Sequence, residues 1–244
     1  MKLFYDLHLH SCLSPCGDAD MTPNNLVNMA LLNGMQLIAL TDHNSCKNCR
    51  AAVEVGERAG LCVVPGMELC TSEEAHVVCL FPTVEAAEAF GGYVAAHSPR
   101  IKNKPRIFGE QLILDQEDQE LGREEFLLLT AANISVNQVC ALTARYGGAA
   151  FPAHIDRDSY SVLSSLGELP KEAGFRAAEI TAKGDVEALK RLHPELEEMI
   201  LFLDSDAHYL ENMPAPQGWI DLPAPAPQCL IDAILGKRPA QWGR

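Results

Sequence analysis

The stretch YDLHLHS, residues 5–11, sets an aspartate and two alternate histidines at the end of an otherwise apolar N-terminal segment. With Lys2 to Leu9 read as a β-strand, side chains alternate between faces, so Asp6, His8 and His10 share one side and Leu7 and Leu9 the other. Two imidazoles and a carboxylate on one surface suit a metal. Histidine is the commonest ligand near neutral pH, and a nearby carboxylate either ligates or orients a ring. A lone His-x-His is equally a polar strand end, so the rest of the chain has to decide.

Further along, short apolar runs alternate with amphipathic helical segments: KLFYDLHLH, MQLIALTDH, LCVVPGMEL, HVVCLFP, GGAAFPAHI, FRAAEIT and MILFLDSDAH. This alternation argues for parallel βα units. The intervening helices have legible ends. Thr22 before Pro23 is an N-cap with proline in the first turn, Gly34 is a stop, Ser135 with Gln138 forms a capping box, and Gly147 and Gly148 close that helix. Residues 100–130 break the rhythm with a basic cluster (Arg100, Lys102, Lys104, Arg106) followed by an acidic one, and read as an excursion over one end of the domain. The basic cluster either lines a substrate mouth or faces solvent. A C-terminal helical cap is expected at about 227–237, and residues 1–244 are read as a single domain, a length at which one core suffices.

Lys plus Arg number 19 against 33 Asp plus Glu, a formal net charge of −14. That field disfavours sequence-independent binding of long DNA or RNA but leaves a small phosphate ester compatible. No basic stretch precedes an apolar h-region and no run is long enough to span a bilayer, so the expectation is a cytoplasmic protein without a membrane partner. Nine cysteines, an odd number in apolar contexts, fit reduced core thiols. Cys46 and Cys49, in CKNC, lack the second pair of a zinc ribbon and read as incidental.

The placement of the histidines carries the most information. His8 and His10 end the first apolar run, His43 ends the second, Glu68 lies at the end of the third, His154 ends GAAFPAH, and Asp206 and His208 end ILFLDSDAH on what alternation makes one strand face. In a barrel of parallel strands all C-terminal ends open on one face, so these residues would converge there. His76 begins its strand and needs a loop or an antiparallel element to join them. His97 and His193 fall in helical segments and are read as surface residues. So many ligands exceed one tetrahedral zinc and suit two or three metals bridged by a carboxylate, an arrangement that activates water and stabilises phosphoryl oxygens.

In order along the chain, DLHLHS, LTDHN, PGMEL, HVVCLF, PAHI and DSDAH resemble the motifs of the PHP (polymerase and histidinol phosphatase) superfamily of metal-dependent phosphoesterases. The resemblance implies an α/β fold, a distorted (β/α)7 barrel, with two or three divalent ions (Mn, Zn or Fe) at the C-terminal ends of the strands. It implies His8, His10, Glu68 and Asp206 on one ion, and Glu68 bridging to a second held by His76 and His154. A third would take His43, His208 and a residue after the first motif, usually His or Asp in the family. Here that residue is Cys16 or Asp18; a thiolate favours zinc or iron, whereas Asp18 suits manganese or magnesium. Asp6, Asp42 and Asp204 would accept hydrogen bonds from ligating imidazoles. The implied reaction is phosphoester hydrolysis by metal-activated hydroxide, with His208 or a bound water as acid. Arg157 and Lys183 either hold phosphate or sit in solvated loops. The expected substrate is a small phosphorylated compound, a nucleotide or short nucleic-acid end; the alternatives are a histidinol-phosphate-type phosphatase and a metal-stabilised, non-catalytic module.

Overall fold

In the computed structural model, which describes residues 1–243, the chain runs β1 (Lys2–Leu9), α1 (Pro23–Leu32), β2 (Leu37–Leu40), α2 (Cys49–Ala59), β3 (Cys62–Cys70), β4 (His76–Leu80) and α3 (Val84–His97). It continues with α4 (Pro105–Phe108), β5 (Leu112–Leu114), β6 (Glu120–Arg123), α5 (Val136–Arg145), β7 (Ala149–Pro152), α6 (Val162–Leu166) and β8 (Ala177–Thr181). The last elements are α7 (Val186–Leu192), β9 (Ile200–Asp204), β10 (Gly218–Asp221), α8 (Pro227–Ile234) and β11 (Trp242–Gly243).

Seven strands form one sheet in the order β11-β10-β1-β2-β3-β4-β7, and β8 pairs with β9 in parallel. β1, β2 and β3 are parallel neighbours, as the βα rhythm requires, but β4 is antiparallel to both β3 and β7. The β8–β9 pair is tied in at its C-terminal end: Ile155 N–H donates to Glu179 O at 2.9 Å, and His10 N–H to Ala207 O at 3.1 Å. The sheet therefore curls until its two sides meet through β8 and β9.

Period-two alternation sorts the strand residues into two cores. Val64, Val78, Leu80, Phe151, Ala177 and Phe202 pack inside the curl, while Val63, Met67, Val77, Cys79, Ile180 and Leu201 face the helices. On the same parity Glu68, His76, Glu179 and Asp204 point inward. Buried Leu230, Ile231 and Ile234 of α8 close the end opposite the strand C-termini. Each such side chain contributes roughly 1.5–3 kcal/mol.

β1 breaks this alternation. Leu3, Tyr5 and Leu7 belong to the inner core but Leu9 to the outer one, and the register on β2 shifts between Asp6 and Leu9. The shared face expected for Asp6, His8 and His10 is thus corrected: Asp6 lies across the strand, and a bulge-like irregularity turns His8 and His10 inward. Its buried amides are satisfied by carboxylates. Leu7 N–H donates to Asp204 Oδ1 at 2.6 Å and His8 N–H to Asp6 Oδ1 at 3.3 Å.

Residues 100–130 hold α4 and the β5–β6 hairpin, which seat on the loops after β1 and β2. Leu112 N–H donates to Cys12 O at 2.9 Å, and buried Asn48 donates to Leu112 O at 3.1 Å while accepting from Leu114 N–H at 3.0 Å. Gly109, at φ 106°, is needed there because a Cβ would fall 2.0 Å from Pro15 O. Within the basic cluster, Arg100 stacks over Phe126 at 4.4 Å and Lys102 pairs with Glu125 at 3.2 Å. All nine cysteines are free; Cys46 and Cys49 are both buried, and burial pushes the Cys46 thiol well above its usual range. Among the described residues no helix is long and apolar enough to cross a membrane.

Candidate metal centre

At the C-terminal ends of β1, β2, β3, β7 and β9, the structure brings together His8, His10, His43, Glu68, His76, His154, Asp206 and His208. The antiparallel β4 is what carries His76 there, since its first residue lies at the end where β3 finishes. Glu68 stands at the middle, fully buried. Its Oε1 is 2.6 Å from His76 Nδ1, 3.1 Å from His154 Nε2 and 3.3 Å from His8 Nε2, and its Oε2 is 2.8 Å from His43 Nδ1 and 3.4 Å from His10 Nε2. Asp206 Oδ1 lies 3.0 Å from His10 Nε2 and 3.4 Å from His8 Nε2.

Of the contacts to Glu68, those of His76 Nδ1 and His154 Nε2 to Oε1 are hydrogen bonds, and the others are short without being aligned as such. Glu68 Oε2, Asp206 Oδ1 and His154 Nδ1 are buried with no aligned partner, and the Nε2 atoms of His8 and His10 face each other at 3.2 Å. Nitrogens and oxygens converging in this way fit a shared cation better than one another. Three sets have donor atoms within 4.8 Å of one another: His10, His43 and His208; His8, His10, Glu68 and Asp206; and His43, Glu68 and His76.

The outward nitrogens fix the tautomers. His8 Nδ1–H donates to Glu179 Oε2 at 2.7 Å, His10 Nδ1–H to Ser14 Oγ at 2.9 Å, and His208 Nδ1–H to Asp206 O at 2.9 Å, which leaves each Nε2 lone pair free. Glu179 was not among the residues singled out from the sequence. Its signal was present: a lone carboxylate in the apolar run RAAEIT, on the inward parity of β8. Glu179→Gln is expected to weaken metal affinity about 10- to 100-fold while leaving the ligand set intact, as measured by competitive chelator titration; an unchanged affinity would remove Glu179 from the site.

Asp6, Asp42 and Asp204 do not accept from imidazoles as expected. Asp42 instead accepts from Ser14 Oγ at 2.6 Å and from Ser11 Oγ at 2.6 Å, reaching His10 only through Ser14. Asp6 and Asp204 are occupied by the β1 amides, because the irregularity in that strand has to be satisfied first. Burial raises the Asp6 carboxyl to about 6, and burial with the nearby Glu179 raises Asp204 well above the usual range. Glu68 is the opposite case. Burial opposes its charge, yet His76, His8 and His43 together hold it well below the carboxylate range. Burial also lowers His43 to about 4 and His208 to about 3, keeping both imidazoles neutral and able to donate a lone pair.

The remaining candidates divide. Asp206 and His208 lie beyond β9, not on its face; Asp206 is left-handed at φ 51°, so loop conformation and not strand parity aims them. Arg157 Nη1 is 2.6 Å from Asp206 Oδ2, at the rim of the centre. Lys183 is exposed and lines a separate groove with Trp242. Asp18 Oδ1 accepts from Asp20 N–H at 2.9 Å, whereas the Cys16 thiol, on an exposed residue, is pushed up to about 12 by partial desolvation among the loop atoms and then by the Glu68 and Asp206 carboxylates. His97 stacks on Tyr93 at 4.0 Å and His193 ends α7, both outside the cluster.

A family model for the PHP domain matches residues 6–211. The 5'-3' exoribonuclease Rnm of Salmonella typhimurium is 32% identical over 115 residues, 45% of this chain and 38% of that protein. A phosphoribosyl 1,2-cyclic phosphate 1,2-diphosphodiesterase of Eggerthella lenta is 38% identical over 64 residues, 26% of this chain and 23% of the relative. The matched segments thus span well under half of these relatives. Among solved structures, a lesion-specific endonuclease from Pyrococcus furiosus superposes with a TM-score of 0.70 at 16% identity, covering 99% of this chain and 58% of that one. A putative metal-dependent phosphoesterase from Bifidobacterium adolescentis gives 0.59 at 18% identity, covering 84% and 87%. At such identities the superpositions speak for the fold alone, but the family model takes in every histidine, glutamate and aspartate of the centre, and the chain belongs to the PHP domain family.

Proposed function

We propose that this chain is a metal-dependent phosphoester hydrolase acting on a nucleotide or the end of a short oligonucleotide. The observation that carries the reading is Glu68, a fully buried carboxylate with five imidazoles within 3.4 Å of its two oxygens. That is a bridging position. His8, His10, Glu68 and Asp206 would hold one divalent ion, Glu68, His76 and His154 a second, and His43 and His208 a third. The loop residue for that third ion would be Cys16 or Asp18: Asp18 N–H donates to His208 O at 2.9 Å while its Oδ1 accepts from Asp20 N–H, and neither side chain joins the His10, His43 and His208 set. Manganese, zinc and iron all suit such donors.

Bound divalent ions would supply Lewis-acid activation of water and charge neutralisation at the phosphoryl oxygens. The chain's own residues have separate tasks. Glu179, Ser14 and the Asp206 carbonyl hold three rings in the tautomer that presents Nε2. Arg157 is placed to exchange its Asp206 partner for a phosphate oxygen. The leaving oxygen would take its proton from a water at the site and not from His208, whose ring is neutral, presents its Nε2 lone pair and has its Nδ1–H committed to Asp206 O. Residues 1–244 are read as one such domain, a distorted (β/α)7 barrel with the 100–130 excursion on its rim and α8 as its cap. The exoribonuclease and cyclic-phosphate diesterase names of the sequence relatives support a nucleotide-like substrate over histidinol phosphate.

The test is product release from nucleotides, short oligonucleotides and histidinol phosphate by Mn²⁺-loaded protein, beside a His8→Ala control. Turnover of the nucleotide-containing compounds, lost in the control, is expected. Preference for histidinol phosphate would overturn the substrate class, and metal retention without any turnover would make the domain a non-catalytic module.

A further inference from the structure

We propose that Tyr160 is a stacking platform for a nucleobase beside the scissile phosphate, which makes it the residue that selects base-bearing substrates; this rests on the hydrolase reading above. Tyr160 lies in the loop after β7 at φ 55°, a left-handed conformation that is rare for a bulky side chain. The loop is pinned there. His76 N–H donates to Tyr160 O at 2.8 Å, and Ser161 Oγ donates to Arg157 O at 2.7 Å. The ring stacks on the His76 imidazole with centroids 4.9 Å apart and planes 28° apart. Despite this fixed placement Tyr160 remains 52% exposed, so burial of the ring does not account for the strained backbone.

The same loop carries Arg157, whose guanidinium sits 2.6 Å from Asp206 Oδ2. One short turn therefore carries a cation seated on Asp206 and an open aromatic ring seated on His76, both residues of the candidate metal centre. That pair matches the two ends of a nucleotide, phosphate on the cationic side and base on the ring. The formal charge of −14 gives a polyanion no long-range attraction, so affinity has to come from contacts that do not depend on net charge. Base–aromatic stacking is such a contact, and it tolerates any base because every base has a π-face.

The experiment compares a trinucleotide with its counterpart lacking the terminal base, using Mn²⁺-loaded wild type, Tyr160→Ala and Tyr160→Phe, by kcat/KM and by fluorescence anisotropy. In the wild type the base-bearing compound should be favoured about 10- to 100-fold, the size of one stacking contact. Tyr160→Ala should bring that ratio toward one, mainly through KM, and Tyr160→Phe should keep it. A wild type indifferent to the base, or equal loss on both compounds in Tyr160→Ala, would overturn the platform and leave the ring as packing for His76. If neither compound is hydrolysed the hydrolase reading fails instead, and the anisotropy ratio still decides for or against the platform.

Discussion

Glu68→Gln is expected to lower phosphoester hydrolysis by about 10³-fold or more and to leave the purified protein with less bound metal than the wild type. The carboxylate is shared by five imidazoles, so its loss removes a ligand from two of the proposed ions and a neighbour of His43 at the third. Metal stabilisation of a phosphoryl transition state is worth several kcal/mol, and each ~1.36 kcal/mol is a factor of ten. Glutamine keeps the shape and so separates charge from packing. The folded-state pKa of Glu68 is depressed, so its stabilising contribution is present at neutral pH and is lost as the pH falls below the ordinary glutamate range. Steady-state kinetics with elemental analysis checks this; activity and metal content within about threefold of wild type would refute a bridging role.

Stripping the protein with a chelator should lower its melting temperature by roughly 8–16 °C, recovered on adding Mn²⁺ or Zn²⁺. Saturation at about 1,000 times the dissociation constant stabilises by about 4 kcal/mol, and each kcal/mol shifts a domain of this size by roughly 2–4 °C. The physical source is the crowd of buried charge below the mouth. Glu68, Glu179, Asp204 and Asp206 are all buried or nearly so, and each keeps one buried oxygen without a hydrogen-bond partner. Without a cation these carboxylates are balanced by Arg157 on Asp206 and by protons on His8 and His10, whose pKa values are raised against the opposing effect of burial. A melting curve indifferent to chelator would mean that the cluster is a self-contained hydrogen-bonded core.

Much of this was legible in the residues themselves because it depends on local geometry. Apolar runs ending in His43, Glu68 and His154 announce strands that deliver ligands to one end, and the position of His76 at a strand start called for a loop or an antiparallel element, of which the structure contains the second, β4. Thr22, Ser135 and the glycines after their helices act within one turn of chain, so their roles needed no tertiary context.

Parity failed where pairing partners intervene. At the irregularity between Asp6 and Leu9 the Leu7 amide is taken by Asp204, from the far end of the chain, and no pattern within residues 5–11 reveals that partner. Asp42 reaches His10 only through Ser14, and Glu179 meets His8 from 171 positions away. Asp206 and His208 are aimed by a left-handed loop residue, and Arg157 by the turn that Ser161 pins.

By itself, then, the sequence determined which residue types gather at the strand ends and the family they mark, since period-two alternation and helix capping are short-range effects. Only the tertiary structure decided which nitrogen each histidine presents, which carboxylate orients it and which aromatic ring stands beside it. Those choices are made by hydrogen bonds and stacking between segments that the chain brings together only on folding.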